Sequence, residues 1–274
     1  MSRHCRFKES MESVYGKFAD IPDPDAWVPP INPGGLNGRY LWTDAFGVLN
    51  FLTLNKESPQ NDRKYLTLAK RLVCNVHDTL GHTRDRTARL PGATDSNPLG
   101  GGLRIGKVSE TGPDGDGQYH HYLTLWMFAL NRLSMATGDA SYNFQAISLA
   151  KAIHPRFVVE RASNAIRMVW KMSMDISEPL VENEGHLDPI DGYLVFRLLQ
   201  SSAASHGEGQ ILSDEIEDYA RIMDRKKGQR VSSDTLDLGM SMWTAHWLAA
   251  KETWAADLRA KCLSQLRNPP TSIH

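Results

Sequence analysis

Between Glu110 and Tyr122 the chain reads Glu-Thr-Gly-Pro-Asp-Gly-Asp-Gly-Gln-Tyr-His-His-Tyr, and an apolar run, Leu-Thr-Leu-Trp-Met-Phe-Ala-Leu130, follows at once. Three carboxylates (Glu110, Asp114 and Asp116) therefore sit in a glycine-rich loop ahead of Tyr119, His120 and Tyr122. Asp116 stands where an N-cap belongs, able to accept from the first free helical N–H groups. Acid, imidazole and phenol groups crowded at one helix end are the raw material of a titratable site. Three other helix starts carry similar turns: Trp42-Thr-Asp44, Asp188-Pro-Ile-Asp191 with Tyr193, and Asp234-Thr-Leu-Asp237 followed by Trp243. Capping accounts for one acid in each turn, but not for the second acid or the aromatic partner. If the helices that follow run parallel, all four turns meet at one end. That gathering of acids with Trp42, Tyr119, His120, Tyr193 and Trp243 makes a common mouth.

The elements that position these residues follow from periodicity. Residues 1–38 are broken by Pro and Gly clusters and are expected to form an irregular lead-in. Ala45, Val48, Leu49 and Leu52 recur at helical spacing from Thr43 or Asp44 onward. The stretch from about residue 62 to 79 puts Tyr65, Leu68, Ala69, Leu72 and Val76 on one face and basic residues on the other, the pattern of an amphipathic outer helix. A loop over 80–117 with Gly100, Gly101 and Gly102 is long enough to suggest function. The helix over 117–136 is apolar nearly all round, so it is expected to be buried. An outer helix over 141–153 comes next, and 156–174 holds a short hairpin through Phe157–Val159 and Met168–Trp170. Helices from Asp188, Ser213 and Ser233 follow, with a last helix ending near Leu266. Leu68-Ala-Lys70 and Leu149-Ala-Lys151 occupy equivalent places, which marks an internal repeat of buried helix, turn and amphipathic helix. The expected organisation is a lead-in over 1–38, an all-α domain over 39–266 and an unstructured tail over 267–274.

Composition narrows the partners. The net charge of −1 gives no footprint for nucleic acid or an anionic membrane surface. No apolar run is long enough to span a bilayer. The polar start has no secretory h-region, and Cys5, Cys74 and Cys262 are scattered and odd in number, so a cytoplasmic location is expected. Gly101-Gly-Leu-Arg-Ile-Gly106-Lys107 matches part of a phosphate-binding loop, but Val108 stands where Ser or Thr should hold magnesium. Neither His-Glu-x-x-His nor Cys-x-x-Cys occurs, so no metal and no cofactor are expected.

Alternating inner and outer helices of this spacing resemble the (α/α)6-barrel, six-hairpin glycosidase superfamily. Ala136-Thr-Gly-Asp-Ala-Ser-Tyr142 through Lys151 is similar to its turn into an outer helix, and Trp42-Thr-Asp-Ala-Phe46 to the start of an inner one. The resemblance covers roughly 40–266 and is architectural. It implies an (α/α)-toroid, or an incomplete (α/α)6 barrel of about four to five hairpins, with a carbohydrate-like substrate in the funnel formed by inner-helix ends. An incomplete barrel would expose apolar faces and favour self-association. Glycoside hydrolysis needs two carboxyl groups flanking the bond. Asp44 and Asp116 are the expected catalytic pair, and their layout resembles that of some unsaturated-glucuronyl hydrolases in the superfamily. Trp42, Glu110, Asp114, Tyr119, His120, Asp188, Asp191, Tyr193 and Trp243 are expected to bind substrate. The alternatives are a sugar epimerase or isomerase using His120 with an acid, and a non-catalytic ligand-binding toroid.

Overall fold

The computed structural model describes residues 3–30, 39–58, 63–112, 114–226 and 234–267, and these form an all-α protein. Segments 31–38, 59–62, 227–233 and 268–274, which include part of the lead-in and nearly all of the expected tail, lie outside the described residues.

The lead-in is more ordered than its Pro and Gly content suggests. Arg3–Tyr15 form helix α1, and a single 3-10 turn covers Phe18–Asp20. Phe7, Met11, Val14 and Tyr15 make a narrow apolar stripe at helical spacing among charged residues, and Met11 and Tyr15 are buried. Tyr15, Phe18 and Trp27 all stack around Phe51. Residues 3–30 therefore contribute Met11, Tyr15, Phe18 and Trp27 to the core rather than forming a loose wrap.

Eight further helices form four consecutive pairs: α2 (Leu41–Glu57) with α3 (Lys64–Leu80), α4 (His120–Thr137) with α5 (Ser141–Phe157), α6 (Asp188–Ala204) with α7 (Ser213–Arg225), and α8 (Thr235–His246) with α9 (Thr253–Arg267). The first members of the pairs also pack in succession, α2 on α4, α4 on α6 and α6 on α8. Their sequences account for the layering. Helix α4 buries twelve of its residues, including Leu123, Trp126, Met127, Phe128, Leu130 and Leu133, so protein surrounds it. Helix α7 buries only Asp218, Tyr219 and Ile222 and turns its charged face outward.

Two places in this inner layer are made by glycine. A Cβ on Gly47 of α2 would lie 2.0 Å from the Tyr15 hydroxyl, and one on Gly192 of α6 would lie 2.4 Å from the Tyr219 ring. Each glycine opens a gap through which a tyrosine of a neighbouring helix reaches inward.

The expected hairpin exists in reduced form. Val158–Val159 (β2) pairs antiparallel with Arg167–Met168 (β3), and Gln118–Tyr119 (β1) pairs antiparallel with Lys171–Met172 (β4). The second ribbon ties the segment before α6 to the residues that open α4.

Candidate functional site

The starts of all four inner helices border one cavity of about 210 Å³. Helix α2 contributes Trp42, α4 contributes His121 and Tyr122, α6 contributes Asp188 and Asp191, and α8 contributes Leu236, Asp237 and Met240. Tyr40, just ahead of α2, and His186 and Leu187, just ahead of α6, complete the lining. The aromatic wall is continuous: Trp42 and Tyr122 have ring centroids 5.2 Å apart, and His121 stands edge-on to Tyr122 at 4.6 Å.

The expected catalytic pair does not line this cavity. Asp44 lies in the first turn of α2, but its carboxylate is buried and paired with Arg39, whose Nε donates at 2.9 Å and Nη2 at 3.1 Å. The Tyr15 hydroxyl donates to it as well, at 3.0 Å. Asp116 is not an N-cap, because α4 begins four residues later with Tyr119 in the cap position. Its Oδ1 accepts from the backbone N–H groups of Gly106 and Gly117, and its Oδ2 accepts from Arg84 and Arg104. A carboxylate enclosed by two guanidinium groups and two amides organises the 80–117 loop and has no lone pair left for a substrate. Glu110 and Asp114 are exposed on that loop and do not line the cavity.

Other expected binding residues divide in the same way. Trp42, Asp188 and Asp191 line the cavity. Tyr119 is buried behind the wall, its hydroxyl donating to the Gly115 carbonyl. His120 is fully buried and faces away, while its neighbour His121 faces the cavity. Tyr193 is held by Arg197 and stacked on Trp254, and Trp243 packs against Phe128 with centroids 4.8 Å apart. Tyr122 and Asp237, from the helix-start turns expected at the common mouth, line it too, whereas Tyr40, His121, His186, Leu187, Leu236 and Met240 are lining residues outside the expected binding set.

The glycine run is not a phosphate cradle. Gly102 adopts φ +76°, and a Cβ there would lie 1.9 Å from the Gln118 side chain. The Gln118 amide accepts from Leu103 N–H and donates to the Gly101 carbonyl, filling the space a phosphate would need. Among the described residues no group of three or more His, Cys, Asp or Glu side chains is placed to hold a metal ion.

Electrostatics separate the two α6 acids. Asp188 and Asp191 lie one turn apart on the same helix start, and both are buried. Burial alone would push the Asp188 carboxyl upward, but the His120 and His121 nitrogens that face it outweigh burial and hold the group well below the usual carboxylate range. The nearest nitrogens are His120 Nδ1 at 3.4 Å and His121 Nδ1 at 3.6 Å, both measured to Asp188 Oδ1. Burial pushes Asp191 up to about 7, only partly opposed by the Thr244 hydroxyl, which donates to its Oδ1 at 2.7 Å. The charge of Asp188 adds to the rise. One cavity thus holds an ionised carboxylate beside a carboxylic acid that keeps its proton to near neutrality. Two carboxyl groups driven apart in this way could take opposite roles in a proton transfer.

No described helix is long and apolar enough to cross a membrane. No family model, curated protein or solved structure matches this chain.

Proposed function

We propose that this cavity binds a carbohydrate-like small molecule and transfers protons on it, with Asp191 as the acid and His121, oriented by Asp188, as the base. The observation that carries the reading is the placement of two buried carboxyl groups one helical turn apart, Asp188 and Asp191, in a cavity that His121 also lines with its Nδ1 toward Asp188. An imidazole whose Nδ1–H is directed at a carboxylate presents Nε2 as a lone pair, the arrangement of an oriented general base. The separation of 3.6 Å is looser than a good hydrogen bond, as catalytic contacts often are before substrate binds. Trp42 and Tyr122 supply apolar faces on which a sugar ring can stack.

The reaction that uses these parts is epimerisation or isomerisation. His121 takes a proton from the carbon beside a carbonyl, the electron pair moves to the carbonyl oxygen, and Asp191 gives its proton to that oxygen. The protonated His121 then returns a proton to carbon, and Asp191 takes back its proton from the oxygen as the carbonyl re-forms. Four helix starts around one funnel agree with the (α/α)-toroid likeness, and a volume below the usual 300–1,000 Å³ of ligand pockets favours a single sugar unit. A second reading, glycoside hydrolysis, has one specific support: Asp237 lines the same cavity and could serve as the carboxylate partner of Asp191.

Incubation with a panel of aldoses, ketoses and N-acyl amino sugars in D2O, followed by NMR, tests the proposal. Deuterium entering at the carbon beside the carbonyl, abolished in Asp191→Asn and His121→Ala, is the expected result. Release of reducing sugar from glycosides without carbon-bound exchange would replace this reading with the hydrolytic one. Binding with neither reaction would leave a non-catalytic ligand site.

A further inference from the structure

Behind the cavity a line of buried polar groups runs from inner helix to outer helix. Asp188 Oδ1 and His120 Nδ1 are both buried without a hydrogen bond of good geometry, and they face each other at 3.4 Å. The other nitrogen of the same ring, His120 Nε2, lies 2.6 Å from the Tyr219 hydroxyl. Tyr219 belongs to α7, in the outer layer, and reaches His120 past the gap left by Gly192. His120 and Tyr219 are both 0% exposed, so water does not compete for these positions.

We propose that Tyr219 and His120 are positioning residues for the acid–base site: the Tyr219 hydroxyl donates to His120 Nε2, which fixes the His120 proton on Nδ1 and commits it to Asp188. The assignment follows from what surrounds the pair. A carboxylate only accepts, so Asp188 requires a proton on the His120 nitrogen that faces it. In the neutral ring Nε2 is then an acceptor, and a phenol is a donor that can meet it without carrying charge into the interior. His154, edge-on to Tyr219 at 5.2 Å, is itself driven down to about 3 by burial and adds no charge. Asp218 lies beyond it, paired with Arg161 and Arg221. Phe157 covers the remaining side of the His120 ring at 5.5 Å. Asp188 thereby stays ionised with one neutral donor behind it, and its second donor, His121, is left to work at the cavity.

This inference rests on the acid–base reading for its purpose, but its test does not need turnover. Long-range proton–nitrogen NMR of the wild-type protein labelled with 15N-histidine should give His120 a protonated Nδ1 and an acceptor Nε2. A proton on Nε2, or an imidazolium, would overturn the assignment. Tyr219→Phe retains the ring in the Gly192 gap and removes only the hydroxyl. The His120 Nε2 resonance should then move to its unbonded position, and the His120 Nδ1 resonance should shift toward a tautomer mixture. If neither moves, Tyr219 merely fills space and the proposal fails. Sugars left unaltered by a protein that carries the expected His120 tautomer would end the acid–base reading while leaving this one intact.

Discussion

Asp191 makes a prediction whose sign is opposite to that of most buried carboxylates. The folded protein holds its proton up to about 7, against 3.8 for an unperturbed group. The folded state therefore binds the proton more tightly than the unfolded chain does. The stability linked to it is complete below pH 3.8 and is lost progressively as pH rises through about 7. At roughly 1.4 kcal/mol per tenfold change in proton affinity, the loss reaches about 4 kcal/mol above pH 8, an upper bound because water entry or local relaxation would soften it. Asn in place of Asp191 keeps the shape and can still accept from the Thr244 hydroxyl at 2.7 Å, but it never ionises. Asp191→Asn is accordingly expected to leave stability nearly unchanged at about pH 3.5, to raise it by about 1.5 kcal/mol at pH 5, and to raise it by up to about 4 kcal/mol at pH 8.5. Urea unfolding of both proteins from pH 4 to 9 measures this directly, as a difference curve that climbs from about pH 4 to about pH 7 and is level above it. A flat difference curve, or a variant less stable than wild type at pH 8.5, would refute the argument that Asp191 is protonated in the folded cavity.

Other expectations concern the carboxylates that the cavity does not use. Arg39→Ala should cost about 3–5 kcal/mol in urea unfolding at pH 7, because it leaves Asp44 buried without its cation, and the cost should shrink at acid pH as Asp44 takes up a proton. Asp116→Ala should lower the melting temperature by stranding Arg104 and two backbone N–H groups, at about 3 kcal/mol or more, while sugar affinity measured by calorimetry changes far less than in Asp188→Ala. Gly192→Ala should destabilise by about 1–3 kcal/mol through collision with the Tyr219 ring. Gly239→Ala on α8, where a Cβ meets nothing within 4 Å, should instead stabilise by about 0.5–1 kcal/mol, and thermal melts of the two variants provide the contrast.

The layering was legible because apolar periodicity is a local signal. A helix apolar nearly all round, followed by a one-sided one, predicts inner and outer layers, and α4 and α7 follow it closely. Asp188 and Asp191 were legible too, since residues three apart at a helix start share a face. The role of Asp44 and Asp116 was not. Asp44 is claimed by Arg39, five residues earlier, but Asp116 is claimed by Arg84 and Arg104 through loop folding that no spacing encodes. The choice between His120 and His121 failed for a related reason. When a helix is buried on every side, its sequence carries no phase, and only its neighbours decide which of two adjacent rings meets the cavity. Helix α1 was hidden by the proline-rich stretch behind it, although Phe7, Met11 and Tyr15 carried its stripe.

One wall of the cavity belongs to the α8–α9 hairpin, which packs on a small cluster apart from the main core. Leu194 of α6 joins Ala245, Leu248 and Ala255 there, and the hairpin meets the rest of the protein through Trp243 and Trp247 on Phe128, Thr244 on Asp191, Trp254 on Tyr193 and Glu252 on Arg197. A unit with few anchors opens at a lower free energy than the whole fold. Opening would carry Thr244 away and admit water to Asp191, which the ionised carboxylate prefers and the protonated one does not. Amide exchange along Thr235–His246, corrected for intrinsic rates, is therefore expected to accelerate as pH is raised toward about 7 and to level off above it, while that of α4 does not.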